Sequence, residues 1–171
     1  MATPQGQSLQ DPLIQQVAAQ NEKVVPAKFR QGYLATVAAG KKLMFSGQTN
    51  KFIQEGANQL TGGPEDVAVL VRLCMKMLGT LWQASKEQMP LESAWYALMT
   101  LSLHGIDFYD RIGKVVVTKD LLDQFASELS HAFLKFMNID EPQIAAAIQR
   151  GKQEILSMTP EQRAAAEKGE A

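Results

Sequence analysis

The sequence predicts an all-α fold, a bundle of about five core helices with N- and C-terminal helical arms. Three observations predict it. From Pro64 to Gln88 the residues Val67, Leu70, Val71, Leu73, Cys74, Met77, Leu78, Leu81 and Trp82 cover more than half of a helix circumference at about 100° per residue. A helix that apolar has to be surrounded by other helices or by another subunit. Prolines and glycines punctuate the chain at intervals suited to helices. The sole β-like run, Val115-Val116-Val117, has no second strand to pair with and reads as an extended connection.

The elements follow in order. Residues 1–10 are polar and irregular. Asp11-Pro12 supplies a cap and first turn for a short helix with Leu13, Ile14 and Val17 on one side. Pro26 starts a second helix, through Phe29, Tyr33, Val37, Leu43 and Met44, which Ser46-Gly47 breaks. A third runs from about Thr49 to Leu60, and the turn Thr61-Gly62-Gly63 opens the apolar helix already described, which is taken as the central one. Met89-Pro90 separates it from a helix over Leu91 to Ile112, its expected partner in an antiparallel hairpin. Thr118 caps the next helix, to about Asn138, in which Leu122, Phe125, Leu129, Phe133 and Phe136 form one stripe. A helix over about Pro142 to Met158 and a polar one capped by Thr159 complete the chain.

Two helices differ from the core ones. Ile144, Ile148, Gly151 and Ile155 make a narrow apolar seam at heptad-like spacing, and the Leu13-Ile14-Val17 seam is equally thin. A thin seam is what a helix shows when it docks by one edge on a groove or a neighbouring chain. The expected organisation is therefore an N-terminal arm over 1–25, a bundle core over 26–138 and a C-terminal arm over 139–171. The seven seam residues are the interface candidates.

Composition narrows the function classes. With 46% hydrophobic and 20% charged residues, the chain belongs with globular rather than disordered proteins. Its formal charge of −1 gives no basic excess, so there is no nucleic-acid signal. One cysteine, Cys74, set in the most apolar helix, forms no internal disulfide and reads as a small buried hydrophobe. The start MATPQGQSLQ is polar, and no run of 18 apolar residues occurs. No signal peptide or transmembrane helix is therefore expected, and synthesis in the cytoplasm is. Contact with a membrane by amphipathic helices stays open.

Catalytic and metal chemistry find little support in the residues. Glu128-Leu129-Ser130-His131 matches the Glu-x-x-His element of di-iron bundles, and His104, Asp107 and Asp110 form a second cluster. A di-iron site needs two such elements and two further glutamates, and on an ideal wheel His131, His104 and Asp107 all point away from the apolar stripes. Surface positions are expected for all three, and no metal, cofactor or catalytic residue is assigned. The acids Glu92, Asp107, Asp110 and Asp123 read as solvated. The turn Thr61-Gly62-Gly63-Pro64 lacks the Lys-Ser/Thr pair of a phosphate loop, and Glu65 and Asp66 would repel an anion. Methionines and aromatics at helical spacing read as core, so there is no small-molecule signal.

The segments LMFSGQTNKFIQ (Leu43 to Gln54) and VRLCMKMLGTLWQASKEQMPLESAW (Val71 to Trp95), with the following LLDQFASELSHAF, resemble small helical virion proteins from the structural gene clusters of tailed bacteriophages. The resemblance rests on the apolar pattern and the turn between Gln83 and Pro90. It implies a structural, assembly or genome-ejection role in many copies, in the virion, and transfers no functional residue. The leading expectation is thus a non-enzymatic homo-oligomer or component of a larger assembly, partnered by itself and by other proteins of that assembly. The alternatives are a helical interaction module that binds a partner helix or apolar ligand, around Trp95, Tyr96 and Met99, and, last, a ferritin-like metal enzyme.

Overall fold

The computed structural model describes residues 8–46, 50–86 and 88–138, with isolated positions 142, 153, 157 and 159. Six helices lie among them: α1 (Pro12–Lys23), α2 (Ala27–Phe45), α3 (Lys51–Gln59), α4 (Asp66–Ala84), α5 (Leu91–Arg111) and α6 (Lys119–Phe136). There is no strand among the described residues, so the fold is an all-α helical bundle. The chain divides into two compact units, Met1–Ala132 and Phe133–Ala171. The helices expected beyond Pro142 lie outside the described residues.

The helix ends follow local chemistry. Asp11 takes an extended backbone and its carboxylate accepts the Ile14 N–H at 2.9 Å, which satisfies one of the free donors of α1. Thr118 does the same for α6, its hydroxyl oxygen accepting from Leu121 N at 3.1 Å. Pro26 and Pro90 stand just before α2 and α5, where a missing N–H is harmless. Val115–Val117 is an extended connection, and the Asp110 carboxylate accepts the Val117 N–H at 3.3 Å.

The central helix is α5 rather than α4. It packs most extensively on α2 and also against α1 and α4. Every residue from Thr100 to Asp107 is buried, so for two turns α5 has no face toward solvent. This corrects the expected surface positions of His104 and Asp107, which are only 6% and 1% exposed. The wheel failed because it ranks faces by hydrophobicity. Here the second face is small and polar (Ser93, Ala97, Thr100, His104, Asp107) and is covered by other helices all the same. In α4 an 18-residue window of mean hydropathy 1.3 is long and apolar enough to cross a membrane, yet Leu70, Leu73, Met77, Leu78 and Leu81 are buried within the bundle.

Pairing directions can be read from the contacts. A Cβ at Gly32 would meet Ser93, one at Gly40 would overlap Leu101, and one at Gly105 would touch Met44. These pairs advance together, so α2 and α5 run parallel, brought close where glycine leaves room. Tyr33 and Thr100 join them by a buried 3.0 Å hydrogen bond between hydroxyls, and Ser93 Oγ donates to the Phe29 carbonyl at 3.3 Å. In contrast α3 and α4 are antiparallel, tied by Arg72 to Gln59 and by Lys76 Nζ to Glu55 Oε2 at 2.7 Å. Gly56 lets α3 approach α5: a Cβ there would overlap the Tyr109 hydroxyl, which donates to the Phe52 carbonyl at 3.0 Å.

Candidate functional site

The densest polar chemistry lies where α1 meets α5. Asp107, wholly buried, turns its Oδ1 to the start of α1 and accepts both the Gln10 and the Asp11 N–H at 2.8 Å. A carboxylate at a helix N-terminus is favoured twice over, by the free N–H groups and by the positive end of the helix dipole. At the other end of α1, Asn21 Nδ2 donates to Thr100 Oγ1 at 2.9 Å and to the Tyr96 carbonyl at 3.0 Å. The pairs Asp11–Asp107 and Asn21–Thr100 run in opposite senses, so α1 lies antiparallel to α5. Between them Ile14 is fully buried.

Charge gathers beneath this seam. Arg111 Nε lies 3.1 Å from Asp107 Oδ2 and donates to the Asp107 main-chain carbonyl at 3.4 Å. The ion pair is close but its geometry is not that of a hydrogen bond, and Oδ2 accepts none. One turn earlier, His104 has its imidazole pKa lowered to about 4. Burial is the main cause, Lys41 and Arg111 add to it, and Asp107 opposes it. Lys41, on α2, is itself lowered by burial, with Glu22 opposing. His104 is therefore neutral at pH 7, a histidine that the fold keeps from charging.

The other sequence candidates are occupied structurally. Asp66 folds back on its own turn, its carboxylate accepting the Thr61 N–H at 3.0 Å and the Gly62 N–H at 2.8 Å. The donors that could have cradled a phosphate already hold an anion from the chain, and Gly62, at φ +80°, supplies the left-handed residue that the turn requires. Cys74 is half-buried, accepts from Ser102 Oγ at 3.1 Å, and has its thiol pushed up to about 11 by burial. It lines a small, partly open apolar pocket of about 30 Å³ with Met44, Met77, Ile106 and Tyr109, room for about one water. His131 is exposed, its Nδ1 2.8 Å from the Ser127 carbonyl oxygen, and Gln124 donates to Glu128. Among the described residues no three His, Cys, Asp or Glu side chains are grouped to hold a metal ion.

Of the interface candidates, Ile14 is buried beside α5 of its own chain, and Leu13 and Val17 are half-buried. The second seam, Ile144, Ile148, Gly151 and Ile155, lies outside the described residues. Trp95, Tyr96 and Met99 are half-buried, with Tyr96 packed on the cluster of Val25, Tyr33 and Ala97. A site the sequence did not suggest is an open apolar groove of about 380 Å³ between α2 and the α4–α5 connection, lined by Gly32, Ala35, Thr36, Ala39, Leu81 and Met89. Alanine and glycine spaced along one face of α2 were the available signal. Comparison with protein-family models, curated proteins and solved structures finds no match to this chain.

Proposed function

We propose that this chain is a non-enzymatic structural protein that assembles with copies of itself or within a larger assembly, of the kind found in the virion or genome-ejection apparatus of a tailed bacteriophage. The observation that carries this reading is the use made of buried polar side chains. Asp66 closes a turn, Ser93 ties α5 to α2, Thr100 joins α1, α2 and α5, and Asp107 seats α1. These four of the six buried polar side chains among the described residues hold helices in place, and the polar atoms of these four do not converge on a cavity where a substrate could sit. Two thin seams are the candidate contacts between subunits in this reading: Leu13, Ile14 and Val17 at one end, of which Ile14 is seated on α5 of its own chain, and Ile144, Ile148, Gly151 and Ile155 at the other.

The test is Ile148→Asp, read by light scattering and circular dichroism. A charge placed in an apolar contact between subunits removes that contact, so on this reading the native mass falls while helical content is kept. Unchanged mass would show that this seam is no interface. A second reading, a module that binds a partner helix, is favoured by the open groove beside α2. A chain of this second kind is a monomer whose groove variant Ala35→Glu loses its partner.

A further inference from the structure

We infer that α1 is an exchangeable arm, which can leave α5 of its own chain and take the identical seat on α5 of a second copy. The inference deepens the assembly reading and rests on it, by giving the N-terminal seam an acceptor. The seat is built for this helix at three points along its length. The Asp107 carboxylate accepts two N–H groups at its start, Ile14 is buried on its face, and Thr100 with the Tyr96 carbonyl accepts from Asn21 near its end. The only occupant sure to carry that set in that order is another α1. Among the described helices α1 packs mainly on α5, with an exposed ion pair from Glu22 to Arg30 of α2, so moving it breaks one set of contacts and remakes the same set. A reciprocal exchange therefore loses no contact and closes at two copies.

The connection to α2 has the form of a hinge. Only Val24 and Val25 separate Lys23 from Pro26, and Val24 is 61% exposed. Val25 is anchored against Tyr33 and Ala97, so the hinge turns about a fixed point on the bundle. Pro26 prevents α1 and α2 from merging into one helix, because it lacks the N–H and disfavours helical backbone at Val25. The arm stays a separate body whichever chain it sits on. A short hinge is the setting in which exchange competes with folding back on the same chain.

The test uses three full-length chains: the wild type, one with Gly-Ser-Gly-Ser inserted between Val24 and Val25, and one with Val24 deleted. Circular dichroism confirms helicity, and light scattering over a wide concentration range gives the dimer fraction. Exchange predicts a wild-type dimer, an apparent dissociation constant raised about tenfold or more by the insertion, and one lowered by the deletion. If the shortened chain fails to fold, the insertion decides alone. A dimer equally stable in the wild type and the insertion variant would overturn exchange and leave the assembly reading intact. A wild type that stays monomeric throughout would overturn exchange and self-assembly together, and leave assembly on other proteins as the reading.

Discussion

Lowering the pH from 7 to 4 should weaken this fold through His104, over and above what its carboxylates contribute. Its imidazole is buried in α5, beside the charges of Lys41 and Arg111, with Asp107 opposing them. The folded pKa is about 4 against 6.5 for a free histidine. Between these values the unfolded chain binds a proton that the folded chain refuses, so stability rises with pH across the window. The contribution is complete above pH 6.5 and is lost as the pH falls toward 4. At about 1.4 kcal/mol per pKa unit, the loss reaches roughly 2 kcal/mol at pH 5 and 3 kcal/mol at pH 4. Urea unfolding at pH 7, 5 and 4, followed by circular dichroism, measures it. His104→Gln removes the proton site and serves as the reference for carboxylates that titrate in the same range. The wild type should lose about 3 kcal/mol more than the variant between pH 7 and 4. Parallel stability profiles would show that His104 charges freely, and hence that the second face of α5 is not buried.

Three further outcomes are expected. Gly40→Ala places a methyl against Leu101 and should cost about 1–3 kcal/mol in thermal unfolding, whereas Gly79→Ala, with open space around it, should be stabilising by up to about 1 kcal/mol. Asp107→Ala leaves the Gln10 and Asp11 N–H groups without their acceptor, at about 1–3 kcal/mol, and hydrogen exchange should quicken in α1 well before it does in α4. Cys74, with its thiol pushed up to about 11, should react with a disulfide reagent at pH 8 roughly a hundredfold more slowly than a free cysteine, and at an ordinary rate once denatured.

The helices were legible because their signals are local. Asp11 and Thr118 cap as their positions suggest, and prolines stand at the starts of α1, α2 and α5. Which helix lies at the centre was not legible. The apolar content of α4 drew the choice, but Ser93, Ala97 and Gly105 suit α5 to the middle by leaving room for α2, and Ser102 by leaving room for α4, rather than by hydrophobicity. Such residues carry no strong sign on a wheel. The parallel pairing of α2 with α5 was hidden for a similar reason, since two helices in the way between them separate the partners in sequence. The expectation of surface positions for His104 and Asp107 followed from that error. Asp107 in particular acquires its role only from α1, whose N–H groups arrive from ninety-six and ninety-seven residues away.

Self-assembly, the central claim, stands or falls most directly on the native mass of the full-length chain, measured by light scattering from low to high concentration at neutral pH. It predicts a discrete oligomer, its population rising with concentration until one mass dominates. A mass that stays at 18.8 kDa throughout would contradict it.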